Sequence, residues 1–119
     1  MELTIAKIAY DFAEEGAAIS KKKEYKSYVK KIPSLIYKNG LSATLKFIDI
    51  KRNNQSNNDA YNILFNQIKK FLVDMGHSLN DPFTYVSSCD SNKYRKVTIE
   101  ILSLFDWLKR FADGLIKED

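Results

Sequence analysis

Side chains suited to nucleophilic, acid–base or metal chemistry are scarce in this sequence. It contains one histidine, His77, which follows a glycine, and one cysteine, Cys89, which lies beside serines and an aspartate. A catalytic base needs a nucleophile and an orienting partner, and the sequence offers neither, so we expect His77 to be a solvent-facing loop residue. No basic group nearer than Lys93 would activate the Cys89 thiol. One cysteine and one histidine also exclude the usual zinc sites.

The acidic residues do not pair in a way that suits catalysis. Glu14 and Glu15 are adjacent, so on a helix their side chains point to different parts of the surface and are poorly placed to hold a metal or share a proton. Glycine-rich phosphate-binding loops and the HExxH metal motif are absent from the sequence. We therefore predict no catalytic residue, no metal and no cofactor, and we predict that the protein is not an enzyme.

Positive charge is concentrated in one part of the chain. The protein has 119 residues and a formal net charge of +4. Residues 20–53 alone carry ten lysines or arginines against two acids, a net charge of +8, whereas the remainder carries −4. This asymmetry is typical of a protein that binds a polyanion. The alternative is that the lysines only keep a helical surface soluble.

Apolar residues recur at spacings of three and four along almost the whole chain, which predicts helices. No segment alternates with period two, so we expect no strands. The predicted helices are 2–20, 23–39, a third from Leu41, 59–75, a short one from Pro82 to about Ser87, and 90–117. The predicted fold class is all-α, a single compact bundle of five to six helices, with residues 1–119 forming a single helical domain.

Proline, glycine and polar runs mark where these helices should bend, begin or end. Pro33 should kink or restart the second helix, because proline lacks the amide hydrogen and clashes with the preceding turn. Gly40 and Gly76 suit the left-handed position after a helix, and the pair Asp81-Pro82 suits a helix start. The polar run 53–58 should form an exposed loop.

The second and last helices have distinctive surfaces. The second is amphipathic, with Lys31 among the lysines expected on its outer face. The last is apolar over most of its circumference, so it should be central in the bundle or bury a face in a partner. Its polar strip should carry the ion pairs Asp106–Arg110 and Asp113–Lys117, each spanning four residues.

Two tyrosines in the basic segment have alternative interpretations. Tyr28 lies between Lys26 and Lys30, and Tyr37 precedes Lys38. Aromatic rings beside cations can stack on nucleobases or pack against ribose. A tyrosine at the boundary of a helical bundle also needs no ligand.

No part of the sequence suggests export or membrane insertion. No run of about 18 apolar residues is present, so we expect no transmembrane helix. The N-terminal stretch has acids and no basic region before an apolar block, unlike a secretory signal. A single cysteine cannot form an internal disulfide, which fits a reducing compartment. We expect a cytoplasmic protein with no membrane partner.

Two stretches of the chain resemble a known family. Residues 31–48, KIPSLIYKNGLSATLKFI, combine a proline-containing helix, Asn-Gly-Leu and a second apolar helix. Residues 93–116, KYRKVTIEILSLFDWLKRFADGLI, carry Tyr-Arg, Thr-x-Glu and Trp-Leu-Lys-Arg-Phe-Ala. In this order, and in a chain of this length, they resemble the small subunit of the Cmr complex, the type III-B CRISPR RNA-targeting effector of bacteria and archaea. The resemblance covers about residues 25–116, and neither stretch is a catalytic signature.

The resemblance implies a structural role in antiviral defence. Members of the family are all-helical and non-catalytic, and several copies stack into a short filament beside the backbone subunits that carry the crRNA. The implied partners are crRNA, target RNA, other Cmr subunits including the large subunit, and further copies of this chain. Because guide–target pairing reads the sequence, the protein need only recognise backbone charge and A-form shape.

The basic segment supplies the residues for that role. The candidate nucleic-acid-binding residues are Lys23, Lys30, Lys38, Lys46, Lys51 and Arg52. Arg95 and Arg110 lie in the second family-like stretch, where each is either an RNA contact or a structural ion-pair partner.

A different class of function is a helical DNA-binding regulator or a protein-interaction module. A helix-turn-helix needs a short turn before a recognition helix rich in arginine, asparagine and glutamine. Residues 38–41 supply a turn, but the helix that follows is too apolar to read bases. A preference for A-form duplex over B-form DNA would separate the RNA-binding role from this alternative.

Overall fold

Six α-helices make up most of the computed structural model, which describes residues 2–53 and 59–117. They are α1 (Glu2–Ala17), α2 (Lys22–Asn39), α3 (Leu41–Asn53), α4 (Ala60–Asp74), α5 (Pro82–Ser87) and α6 (Ser91–Leu115). Within the described ranges there is no β-strand, and the predicted all-α bundle is confirmed. Of the predicted loop 53–58, Asn53 is the last residue of α3, and the other five residues lie outside the described part of the chain.

The last helix is central in the bundle, as its wide apolar surface predicted. One side of α6 packs along α1 and another packs against α2, while α3 packs mainly on α4. The buried stripe of α6 consists of Val97, Ile101, Leu104, Phe105, Leu108 and Ala112. On the described residues no helix is both long enough and apolar enough to span a bilayer.

The helix ends follow local signals closely. Gly40 and Gly76 have positive φ angles of 86° and 94°, as predicted. After α4 the amide of Gly76 donates to the Val73 carbonyl and that of His77 to the Leu72 carbonyl, which is the paired pattern of a Schellman motif. The start of α5 is also confirmed, since the Asp81 carboxylate accepts a hydrogen bond from the Thr84 amide at 2.9 Å.

Two predicted helix ends differ from the structure by more than one residue. The chain leaves the helix after Ala17 rather than continuing to Ser20, and α6 ends at Leu115 rather than near Lys117. Of the two effects predicted for Pro33, a kink or a restart, the restart is wrong, because α2 runs through the proline as one helix. Burial of Val29 and Ile36, one turn on either side of the proline, stabilises α2 against the loss of one backbone hydrogen bond.

A buried polar contact joins α1, α2 and α4. The Tyr25 hydroxyl donates to Oε1 of Gln67 at 2.8 Å and lies 3.2 Å from the Phe12 carbonyl oxygen. Gln67 Nε2 donates to that same carbonyl at 3.0 Å and to Oε1 of Glu15 at 2.8 Å. Desolvation raises the pKa of the Tyr25 hydroxyl far above its usual range, so the phenol stays protonated as a donor. The Tyr25 ring lies directly against Gly16.

Replacing Gly16 by alanine should destabilise the bundle, because the added Cβ would overlap the Tyr25 ring. Overpacking of this kind costs about 1–3 kcal/mol, more than alanine gains over glycine as a helix former. The control is Gly114→Ala in α6, where a Cβ meets nothing within 4 Å; it should be neutral or stabilising by up to about 1 kcal/mol. Urea unfolding followed by circular dichroism measures both, and equal free energies of unfolding would contradict the close contact.

Candidate nucleic-acid interface

The outer side of α2 carries three of the candidate lysines. Lys23, Lys30 and Lys38 are all exposed. Their spacing of seven and eight residues places them on one side of the helix, since two turns take about seven residues. Tyr37, beside Lys38, is 78% exposed. Lys23, Lys30 and Lys38 therefore form one exposed basic surface, which ends at the Tyr37 ring. We call these three lysines the α2 surface.

One lysine on this surface is paired with α6. Lys30 Nζ lies 3.1 Å from Oδ1 of Asp113, and Lys26 Nζ lies 3.7 Å from the same oxygen. The hydrogen bond from Lys30 lowers the pKa of the Asp113 carboxyl below its usual value. The prediction that Asp113 would pair with Lys117 is therefore wrong. The carboxylate instead pairs across the α2–α6 interface, where two ammonium groups converge on it.

A second lysine of α2 is part of the interior. Lys26 is buried, and its Nζ donates to the Ile116 carbonyl oxygen at 2.9 Å, just past the end of α6. A cation suits the carbonyl end of a helix. Lys26 thus joins the start of α2 to the end of α6 and is not available to an outside anion.

Lys31 is exposed, as predicted, and its ammonium lies over a cluster of aromatic rings. Its Nζ is 5.3 Å from the ring centroid of Tyr28, 5.5 Å from that of Phe47 and 5.8 Å from that of Tyr61. The same Nζ donates to the Tyr61 hydroxyl at 3.1 Å. Tyr28 stacks on Tyr61 with centroids 3.9 Å apart, so it lies at the bundle boundary. We call Tyr28, Phe47 and Tyr61 the aromatic cluster.

The three candidates on α3 do not share one environment. Lys51 Nζ lies 5.6 Å from the Phe47 centroid, which places it within about 11 Å of the Lys31 ammonium. Lys46 Nζ instead lies 5.0 Å from the Phe83 ring, on the side of α3 that faces α5. The structure therefore brings Lys51 toward α2 and separates Lys46 from it.

Arg52 is largely committed to contacts within the protein. Its Nε donates to Oδ1 of Asp49 at 2.8 Å, and its guanidinium lies 4.0 Å from the Phe65 ring centroid. A further hydrogen bond of 3.3 Å reaches the Asn62 side chain on α4. Arg52 therefore links α3 to α4. Its charge adds positive potential near Lys51, but its side chain is held by these contacts and does not extend freely into solvent.

The two arginines of the second family-like stretch differ from each other. Arg110 Nη2 lies 3.2 Å from Oδ2 of Asp106, as predicted, and its guanidinium lies 5.0 Å from the Trp107 ring. Arg110 therefore has the predicted structural ion pair. Arg95 is exposed and lines a shallow pocket together with Cys89 and Tyr94.

The histidine is not the solvent-facing residue that the sequence predicted. The His77 side chain is only 8% exposed. Its Nδ1 lies 2.7 Å from the Tyr85 hydroxyl, and its Nε2 lies 2.8 Å from Oε1 of Glu100. These contacts tie the α4–α5 connection to α5 and α6. They depend on residues 8 and 23 positions away, which no local sequence signal indicates.

Metal binding is not supported by the described part of the chain. Among residues 2–53 and 59–117 there is no group of three or more His, Cys, Asp or Glu side chains that could hold a metal ion.

Comparison with known proteins gives a consistent set of relatives. Residues 1–115 match the family model of the CRISPR-associated protein Cas_Cmr5. The CRISPR system Cmr subunit Cmr5 of Thermus thermophilus is 30% identical over 114 residues, which cover 95% of this chain and 93% of that protein. The crystal structure of a CRISPR-associated Cmr5 family protein from the same organism matches with a TM-score of 0.79 at 27% identity, covering 98% of this chain and 96% of that one.

The aromatic cluster makes a prediction about stability. Replacing Lys31 by alanine should lower the free energy of unfolding by about 1 kcal/mol, because the ammonium loses its contacts with the rings and its hydrogen bond to the Tyr61 hydroxyl. The matched control is Lys38→Ala on the exposed end of the same helix, which should change stability by less than about 0.5 kcal/mol. Urea unfolding of both variants measures the difference, and indistinguishable midpoints would argue against the cluster.

Proposed function

This chain belongs to the Cas_Cmr5 family of CRISPR-associated proteins, and from that premise we propose that it helps to hold the guide–target RNA duplex of a Cmr effector through the basic surface of α2 and α3. The site consists of Lys23, Lys30, Lys38, Lys46, Lys51 and Arg52. The partners are crRNA, target RNA, the backbone and large subunits, and further copies of this chain. The complex acts in antiviral defence in the cytoplasm.

The observation that carries the proposal is the exposed lysine surface of α2. The rise of a helix separates Lys23 from Lys30 by about 10 Å and Lys30 from Lys38 by about 12 Å along the axis. A row of ammonium groups over that length matches the regular negative charge of a nucleic-acid backbone better than it matches a small anion. Backbone contacts of this kind carry affinity without reading sequence.

The cations of α3 extend this surface in two directions. Lys51 lies beside the aromatic cluster, with its ammonium and that of Lys31 at 5.6 and 5.5 Å from the same Phe47 centroid, and it adds positive charge next to α2. Lys46 reaches toward α5. Arg52 contributes mainly through its charge, since its guanidinium is already bound to Asp49 and Asn62.

We assign the chain no catalytic step. In such a complex the cleavage chemistry belongs to other subunits. The contribution of this chain is to position RNA by charge.

Stacking of copies needs two different patches on each chain, because a head-to-tail contact does not use the same surface twice. An aromatic strip at the α1–α6 junction is suited to be one of them. Tyr10 and Phe111 meet edge-on with centroids 5.3 Å apart, and Trp107 stacks on Phe111 at 5.9 Å. All three rings are partly exposed. We propose this strip as one side of the contact between copies.

Charge reversal of the α2 surface tests the RNA-binding role. The variant Lys23→Glu, Lys30→Glu and Lys38→Glu should weaken binding to an RNA duplex and leave the helical circular-dichroism signal unchanged. If each of the three lysines contacts one phosphate, the slope of log K against log salt should fall in magnitude by about 2–3, since each contact contributes about 0.7–0.9. Fluorescence anisotropy over a salt series measures both effects.

The matched control reverses three cations outside α2 and α3: Lys7, Lys70 and Lys96. Lys7 and Lys70 each pair with an acid four residues along their own helix, and Lys96 is exposed on α6. This variant has the same net charge as the first but should keep most of the affinity and the wild-type salt slope. Equal losses in the two variants would mean that net charge, and not the α2 surface, governs binding.

A further inference from the structure

Asp113 is an acid of α6 that pairs with a lysine of the proposed RNA surface. Its carboxylate lies at the edge of the α2 lysine row, 3.1 Å from Lys30 Nζ, and it is 48% exposed while the Lys30 side chain is 43% exposed. Both partners are therefore accessible from solvent at the point where a phosphate would approach.

The two lysines around Asp113 are not equivalent. Lys26 is buried and is held by the Ile116 carbonyl oxygen at 2.9 Å, so it does not depend on Asp113 alone for a partner. Lys30 extends to the surface and is the ammonium that a phosphate could reach. A phosphate that binds Lys30 must compete with the Asp113 carboxylate for it.

We propose that Asp113 is an intramolecular counter-charge that lowers the affinity of the α2 surface for RNA. This inference rests on the proposed function of that surface. A carboxylate 3.1 Å from Lys30 both occupies the ammonium and repels an incoming phosphate at close range. Since an exposed ion pair is weak, the phosphate can displace it, and the effect is a graded reduction in affinity rather than a block.

A counter-charge at Lys30 would help the chain to discriminate between the RNA bound in the whole assembly and unrelated RNA in solution. Contacts to backbone phosphates carry no sequence information, so a strongly basic α2 surface would bind any RNA. A built-in competitor at Lys30 weakens each single encounter. Binding then depends on simultaneous contact along the lysine row, which a continuous duplex supplies.

The variant Asp113→Asn tests this by removing one negative charge with almost no change in shape. The full-length chain is titrated against a labelled RNA duplex of about 20 base pairs at about 50 mM salt. We expect the Kd to fall about two- to five-fold, the range that a weak exposed ion pair corresponds to. Lys26 keeps its hydrogen bond to Ile116 in this variant, so the fold should be retained.

Asp106→Asn is the matched control. Asp106 lies two turns earlier on the same helix and pairs with Arg110 on that helix rather than with a lysine of α2. It changes the net charge by the same amount, so any general electrostatic gain appears in both variants. The effect specific to Asp113 is the difference between them.

A second set of variants tests the same contact from the lysine side, so that the result does not depend on Asp113→Asn alone. With Asp113 unchanged, Lys30→Met should weaken RNA binding less than Lys38→Met does, because the charge of Lys30 is already partly neutralised by Asp113. The double variant Lys30→Met with Asp113→Asn should lose the gain seen with Asp113→Asn alone, since the two residues act through one contact.

The outcomes separate the two proposals. Tighter binding by Asp113→Asn than by Asp106→Asn, with the gain lost on removing Lys30, supports the counter-charge. If the wild-type chain binds the duplex and the two variants Asp113→Asn and Asp106→Asn bind it with equal Kd values, the counter-charge is overturned. The RNA-binding role is then left intact. No duplex binding by the wild-type chain or by any variant overturns the RNA-binding role, and the counter-charge with it.

Discussion

The contact of the Tyr25 ring with Gly16 determines how α2 lies in the bundle. Tyr25 is fully buried, its ring leaves no room for a Cβ on α1, and its hydroxyl is bound to Gln67 on α4. With Tyr25 held at this point, Val29, Ile32 and Ile36 are buried on the same side of α2. The opposite side, which carries Lys23, Lys30 and Lys38, faces outward. The position of the basic surface therefore follows from an interior contact and not from the lysines themselves.

The basic segment divides into cations that build the fold and cations that remain at the surface. Lys26 is bound to the Ile116 carbonyl just past α6, Arg52 is bound to Asn62 on α4, and the Lys31 ammonium lies over the aromatic cluster. Lys38 and its neighbour Tyr37 are exposed, and Lys30 is shared between the surface and Asp113. A net charge of +8 in residues 20–53 thus overstates what a ligand meets. The charge that a ligand meets depends on which ammonium groups already have partners within the protein. Asp113 matters because it is such a partner for Lys30.

Local sequence patterns predicted most of the helices and their ends. They did not predict the side-chain contacts between residues that lie far apart in the sequence. The helices, the two glycine ends and the Asp81 start are encoded within a few residues, so spacing and capping rules identify them. The burial of His77 escapes such rules because Glu100, which binds it, lies 23 residues along the chain. Spacing along one helix pairs Asp113 with a neighbour four residues away, whereas the structure pairs it with Lys30 on another helix. The basic residues of the proposed site are predicted from charge and the family resemblance, whereas the position of Lys46 against Phe83 depends on the packing of α5.

The most direct test of the central claim, that this chain holds RNA through α2 and α3 within a Cmr effector, is ultraviolet cross-linking in the native complex. The assembly is purified from its host through a tag on this chain and irradiated, and the RNA-linked peptides are identified by mass spectrometry. We predict that short CRISPR RNAs co-purify with the larger subunits and that the linked peptides of this chain fall within residues 22–53. Recovery of the chain without CRISPR RNA, or linkages confined to α1 and α4, would contradict it.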